Sequence, residues 1–290
     1  METPSKSQIS NQATSPSHEA RLLCRHNLAT KTAGLAPGYL QANLVVLPYV
    51  YAGDFKNLCA RNPVPCPLLG FTPTGNPNKV IPEECIKTPD FDIRTDFPGY
   101  VVHTPDGGIQ LKKDILNEWT DDHVGFLVGC SFSFEDALLQ NGLKICHQLA
   151  NKLPAMYVTN IPLLASGVFH GSTFVVSMRT YQPGEIEKVR DVTRPYLATH
   201  GEPIAWGWDG ARAIGVADID RVDFGDRQDF EDGEIPVFWA CGVTPQVAVR
   251  NASSRIEGVT MAHEPGHMLV TDWTVEDLPE IASKITSITA

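Results

Sequence analysis

The chain has 290 residues, of which 42% are hydrophobic and 20% are charged. Disordered chains are poor in apolar residues, so this composition predicts a folded globular protein with one large domain or two smaller ones. The formal net charge of −11 argues against a nucleic-acid or anionic-membrane partner, because either requires a basic face. No apolar run approaches the roughly 20 residues that a transmembrane helix needs.

The seven cysteines include no CxxC pair, which excludes a zinc ribbon and a thioredoxin-like motif. The sequence also lacks a secretory signal, so we expect free thiols in a reducing compartment. We interpret residues 1–17, which are polar and rich in serine, as a flexible leader. We expect the protein to be cytoplasmic. The mitochondrion is the alternative, because this segment is rich in serine as transit peptides are, but a transit peptide should also carry arginine.

The first half of the chain begins with a helix. Ser15 is a favourable N-cap, and Pro16 follows at the first helical position. The predicted elements that follow are a strand over 41–48, a helix over 54–61, a proline-rich loop over 61–89, a strand and turn over 97–108, a short polar helix over 114–120, a buried strand over 124–130 and a helix that ends at Gly142.

The second half repeats the strand–turn–helix pattern over residues 236–252, with a different unit before it. That unit has an alternating strand over 172–181, an amphipathic helix over 184–197 and an extended segment over 202–208. These patterns predict an α/β fold: a main mixed-sheet α/β domain with a smaller inserted α+β domain. The predicted main domain comprises 18–154 and 229–290, and the smaller one comprises 155–228.

Two buried strands end in cysteine at the start of a helix. Cys130 follows one strand, and Cys241 follows the other. Helix N-termini bind anions through free backbone N–H groups and can lower a thiol pKa, although a free cysteine usually only packs in the core. Ligands of open α/β sheets bind at strand ends, so we expect the two turns to share a pocket.

The segment HEPGH at 263–267 has the spelling of the zinc-protease motif. That motif requires a helix, and Pro265 and Gly266 disfavour one. We therefore predict no metal ligands and no cofactor, and interpret His263 as a catalytic acid or base presented by a loop, with a structural histidine as the alternative. A metal-dependent hydrolase that uses His263 and His267 stays an alternative function.

Three charged side chains are further candidates. Arg94 and Arg179 lie in or beside short strands, where a guanidinium can hold a substrate carboxylate or form an internal ion pair with a nearby aspartate. Glu135, at the start of the helix after Cys130, would be a proton donor if burial raises its pKa. It would equally serve as a carboxylate that stabilises the helix dipole.

Eight motifs between Leu35 and Asp272 carry a family resemblance. They are PGYLQANLVVLP, RNPVPCPLLG, DIRTDFPGY, VGFLVGCSFSFEDALL, MYVTNIP, FVVSMR, PVFWACGVTPQ and HEPGHMLVTD, in that order. Together they resemble the D-glutamate cyclase family, also described as hydro-lyases of the YcsI-like group. The resemblance implies an α/β two-domain fold and a reaction that removes water, which in the cyclase converts D-glutamate to 5-oxo-D-proline.

The resemblance adds candidate residues for substrate binding. The segments that match the family contain Asn43, Ser131, Ser133 and Thr244 beside the residues named above. We expect a hydro-lyase that acts on a small amino or hydroxy carboxylic acid, with His263, Glu135, Cys130 and Cys241 as catalytic candidates. The alternatives are the metal-dependent hydrolase and a non-catalytic protein that binds a small acid. The sequence leaves open whether the protein forms a homo-oligomer.

Overall fold

The structure, a computed structural model, describes residues 3–289 without the side chains of residue 282 and residues 285–289. The helices are α1 (Lys6–Gln12), α2 (Pro16–Arg25), α3 (Ala52–Arg61), α4 (Glu135–Gln140), α5 (Cys146–Leu149), α6 (Ile186–Thr193), α7 (Gly207–Ala213), α8 (Val243–Asn251) and α9 (Leu278–Thr289). The strands are β1 (Tyr39–Pro48), β2 (Leu68–Phe71), β3 (Tyr100–His103), β4 (Ile109–Lys112), β5 (His123–Gly129), β6 (Ala155–Pro162), β7 (Thr173–Tyr181), β8 (Ala205–Trp206), β9 (Ile235–Ala240), β10 (Thr260–His263) and β11 (Leu269–Thr274).

The strands form two sheets. The large sheet has the order β2-β5-β1-β10-β3-β4, and β11 pairs with the free part of β1. The small sheet has the order β6-β7-β9-β8. The predicted α/β class, with a main sheet and a smaller second part, is confirmed. The pairs between the described strands are all antiparallel, so the parallel pairs expected of a mixed sheet do not form.

Strand β1 lies at the centre of the large sheet and is buried on both faces. Leu44 and Val46 point into one apolar cluster, while Val45 and Leu47 point into another that includes residues of α3 and α8. Successive side chains of a strand alternate between faces. Helices and the small sheet cover both faces here, which explains why this segment is an unbroken apolar run.

Several sequence predictions differ from the structure. Residues 6–12 form α1, which Ser5 caps and whose Ile9 side chain is fully buried, so most of the predicted flexible leader is ordered. The predicted N-cap of α2 is confirmed, since the Ser15 side chain accepts a hydrogen bond from the His18 N–H. The predicted helix over 114–120 is wrong, because that segment forms turns.

Strand β9 falls within the residues assigned to the main domain by sequence, but it pairs with β7 and β8 of the small sheet. Along residues 3–289, no helix combines the length and the apolar character needed to cross a bilayer.

Candidate active site

The two cysteine-bearing strand ends lie at one cavity between the two sheets. Cys130 follows β5 of the large sheet, and Cys241 follows β9 of the small sheet; both line this cavity, which has a volume of about 30 Å³. Asn43 of β1, Ser177 of β7 and His263 of β10 also line it. The cavity therefore receives polar side chains from both sheets, and we call it the inner cavity.

A glycine allows the second turn to approach β1 closely. A Cβ atom at Gly242 would lie 1.8 Å from the Asn43 Nδ2 atom, so any side chain there would displace the amide. Asn43 Nδ2 donates to the carbonyls of Gly129 (2.9 Å) and Val128 (3.2 Å). Its Oδ1 has no protein partner among residues 3–289 and is available to a ligand in the inner cavity.

Arg179 of β7 is completely buried behind two serines that line the inner cavity. Its Nη2 donates to Ser131 Oγ (3.2 Å), and its Nη1 donates to Ser177 Oγ (3.3 Å). A hydroxyl that accepts from a guanidinium keeps its own proton for another acceptor. Both serines can therefore donate into the cavity, polarised by the positive charge behind them.

Glu135, the first residue of α4, forms the ion pair that neutralises Arg179. Arg179 Nε lies 3.1 Å from Glu135 Oε1, and His147 Nε2 lies 3.1 Å from the same oxygen. Burial would raise the pKa of this carboxyl, but Arg179 and His147 lower it to about 2. Glu135 is therefore ionised at neutral pH and lies outside the inner cavity, an arrangement that does not suit the predicted proton donor.

The hydrogen bonds of His263 determine its tautomer. Its Nδ1 lies 3.0 Å from the backbone nitrogen of Leu44 and 2.7 Å from Gln246 Nε2. A backbone N–H can only donate, so Nδ1 accepts and the proton of the neutral ring is on Nε2. Burial lowers the pKa of His263 to about 3. The ring is thus neutral, and its Nε2–H has no protein partner among the described residues.

The two thiols are not activated. Burial raises the pKa of Cys241 to about 11 and raises the pKa of Cys130 further. Burial therefore outweighs any lowering of the thiol pKa by the helix N-termini, and both cysteines pack in the core, which was the alternative.

The HEPGH segment occupies the end of β10 and the turn after it, not a helix. His267 Nδ1 donates to the Pro265 carbonyl (2.8 Å), and His263 Nδ1 is occupied as described above. Within the part of the chain that the structure describes, no group of three or more His, Cys, Asp or Glu side chains is arranged to hold a metal ion.

Besides Arg179, three predicted binding residues do not line the inner cavity. Arg94 pairs with Asp92, its Nη2 lying 2.7 Å from Oδ2. Ser133 Oγ accepts from the Gln41 N–H (2.9 Å), and Thr244 Oγ1 accepts from the Val175 N–H (2.9 Å). These hydroxyls join neighbouring elements and thereby hold the turns in place.

Sequence reasoning missed two residues of the site, Ser177 and Gln246. Ser177 could have been found, because it precedes Arg179 by two residues and so shares its face of a strand. Gln246 lies on α8, and no signal in its own sequence neighbourhood relates it to His263.

Comparison with known proteins places the chain among close relatives. The family model described as D-glutamate cyclase matches residues 124–272. "Putative hydro-lyase C5H10.01" of Schizosaccharomyces pombe is 50% identical over 257 residues, which is 88% of this chain and 84% of that protein. "Putative hydro-lyase YcsI" of Bacillus subtilis is 46% identical over 247 residues, 85% of this chain and 92% of that protein.

Among solved structures, the nitrogen repressor-like protein MJ0159 of Methanococcus jannaschii covers 94% of this chain and 100% of its own. Its TM-score is 0.38 and its sequence identity is 11%, which is too distant a likeness to support any inference.

Proposed function

The chain belongs to the D-glutamate cyclase family, and we propose that it is a cofactor-independent carbon–oxygen lyase that removes water from a small amino or hydroxy carboxylic acid. D-Glutamate, which would yield 5-oxo-D-proline, is the first substrate to test. The observation that carries the proposal is the buried Arg179, whose guanidinium donates to two serine hydroxyls that line the inner cavity beside His263.

In this proposal the serines bind the substrate carboxylate. Ser131 and Ser177 direct their hydroxyl protons into the cavity because Arg179 occupies their lone pairs. Preorganised donors in a water-poor site are worth more than the same donors in water. The Glu135 carboxylate keeps Arg179 paired when the cavity is empty, so the site does not hold an uncompensated buried charge.

His263 acts on the oxygen that leaves. Its Nε2–H donates a hydrogen bond to this oxygen and stabilises the negative charge that develops as the carbon–oxygen bond breaks. In cyclisation, the ammonium group gives up two protons as nitrogen bonds to the carboxyl carbon, and the departing oxygen takes up both to leave as water. The reaction therefore consumes no net proton, and a neutral imidazole is sufficient as a donor.

The test is product analysis by NMR with the purified full chain. D-Glutamate, L-glutamate and 2- and 3-hydroxy acids are incubated with the protein, and we expect one class to lose water. We expect Ser177→Ala to lower kcat/KM by about 10- to 100-fold, because a hydrogen bond to a charged group is worth about 1.5–3 kcal/mol. Ser172→Ala is the matched control, since Ser172 is a buried serine outside the inner cavity.

If these acids shift the melting temperature but none loses water, the protein is a small-acid-binding protein and the lyase proposal is overturned. Metal analysis of protein purified without chelators addresses the hydrolase alternative. Stoichiometric zinc that is lost together with activity would support the hydrolase.

A further inference from the structure

A second cavity lies next to the inner one. It has a volume of about 200 Å³ and is lined by the loop over residues 34–39, by Gln41 and by side chains of α4. We call it the outer cavity. Within the described chain, Phe132 is the one residue that lines both cavities. This half-buried residue therefore lies at the boundary between them.

The inner cavity is too small to bind a carboxylic acid as it stands. Its volume of about 30 Å³ has room for roughly two water molecules. Substrate pockets usually have several hundred Å³. The side chains proposed to act on the substrate line the inner cavity, whereas most of the free space is in the outer cavity.

The polar groups of the two cavities are complementary. The inner cavity presents three donors, the hydroxyls of Ser131 and Ser177 and the Nε2–H of His263, and one acceptor, the Oδ1 of Asn43. The outer cavity is lined by the carboxylates of Asp136 and Glu135, and the two oxygens of Glu135 already accept hydrogen bonds from Arg179 and Gln148. A ligand that spans both cavities would accept hydrogen bonds at its inner end and donate them at its outer end.

We propose that Phe132 is a movable partition, and that the inner and outer cavities become one substrate site when its ring turns aside. The ring stacks on the His147 imidazole, with centroids 5.9 Å apart and planes at 18°, and this contact holds it in the closed position. Because Phe132 then borders the middle of the bound acid, it determines how large an acid the site accepts. The substrate part of this inference rests on the proposed function, whereas the movement of the ring does not.

The experiment measures access to the inner cavity without measuring catalysis. The folded full chain is treated with methyl methanethiosulfonate, whose methylthio group forms a disulfide with an accessible cysteine and whose methanesulfinate leaves. Peptide mass spectrometry follows each cysteine separately. Cys130 lines the inner cavity, the half-buried Cys146 reports full reagent activity, and Cys59 in the core reports global unfolding.

We expect Phe132→Ala to increase the modification rate of Cys130, relative to that of Cys59, by about tenfold or more, because the local opening no longer requires ring movement. Phe132→Trp should lower the same ratio. Leu139→Ala is the matched control, because Leu139 lines the outer cavity only and is 45% exposed. It should leave the ratio unchanged.

A Cys130 to Cys59 ratio that is equal in the wild type, Phe132→Ala and Phe132→Trp overturns the partition. If the ratio responds as expected but no acid loses water, the partition stands and the proposed function fails. If water is eliminated but the ratio does not respond, the function stands and only the partition fails.

Discussion

The Nδ1 atom of His263 lies 3.0 Å from the backbone nitrogen of Leu44 on the neighbouring strand. A side-chain partner can change its role with pH, whereas a backbone amide always donates. The contact therefore fixes the ring proton on Nε2 in any state that keeps β1 and β10 paired. Pairing of the large sheet thus determines the chemistry of the inner cavity.

We predict that His263→Ala lowers kcat by roughly 10²–10⁴-fold, because the donor to the departing oxygen is lost. Steady-state kinetics measure the change, and circular dichroism checks that the variant folds. His267→Ala is the control, since His267 is half-buried and does not line the inner cavity. Normal turnover by His263→Ala would remove this residue from the mechanism.

The low pKa of His263 predicts how stability depends on pH. The folded ring has a pKa of about 3, whereas an unfolded histidine titrates near 6.5. Between these values the unfolded state binds the extra proton, so the unfolding free energy falls as pH decreases from about 6.5. From pH 7 to pH 5 this histidine should cost about 2 kcal/mol. Denaturant titrations of the wild type and His263→Gln at both pH values measure it.

The glutamine variant can still accept from the Leu44 N–H but does not titrate, so its stability should fall less over this interval. Parallel losses in the two proteins would show that His263 is not held neutral.

The Arg179–Glu135 pair predicts a large loss of stability when one partner is removed. Both side chains are buried, so Arg179→Met leaves a carboxylate without its guanidinium and should cost about 3–5 kcal/mol. The double variant Arg179→Met/Glu135→Leu should regain stability relative to Arg179→Met, because the unpaired charge is gone. It should stay inactive, since Ser131 and Ser177 lose their polarising partner. Chemical denaturation measures both proteins, and a double variant less stable than Arg179→Met contradicts the prediction.

The close approach of Gly242 to Asn43 can be tested with two alanine substitutions. Gly242→Ala introduces a methyl group 1.8 Å from the Asn43 amide nitrogen, and this overpacking should lower stability by about 1–3 kcal/mol as well as kcat. Gly53→Ala in α3 meets no atom within 4 Å and should be neutral or stabilising. Thermal melting of both variants is the measurement. Equal melting temperatures would show that the turn is free to move.

The raised thiol pKa predicts that Cys130 is not a nucleophile. Its thiol is protonated at neutral pH because burial disfavours the thiolate. Cys130→Ala should therefore keep kcat within about tenfold of the wild type, whereas loss of a catalytic nucleophile costs on the order of 10⁴-fold or more. Steady-state kinetics of the wild type and Cys130→Ala under reducing conditions distinguish these two outcomes.

Local signals in the sequence predicted many of the elements well. The Ser15–Pro16 start of α2, the run in β1 and the strands before Cys130 and Cys241 depend on capping and periodicity, which act over a few residues. The helix expected at 114–120 failed, because a short polar segment gains little from helix formation without packing.

The site was harder to predict because its properties depend on contacts between distant segments. Sequence could not show that Glu135 would meet Arg179, 44 residues away, and so it left open whether Glu135 is a proton donor or an ionised carboxylate. In the same way, the N-cap position of Cys130 is visible in the sequence, but the burial that determines its pKa is not.

The inner cavity takes Asn43 and His263 from the large sheet and Ser177 from the small one. The proposed activity therefore depends on how the two sheets dock and not on either sheet alone. A perturbation that slides one sheet against the other by the length of a hydrogen bond would separate the Ser177 hydroxyl from the His263 imidazole. Every helix and strand would persist. Inactivation on mild heating should then precede the loss of secondary structure.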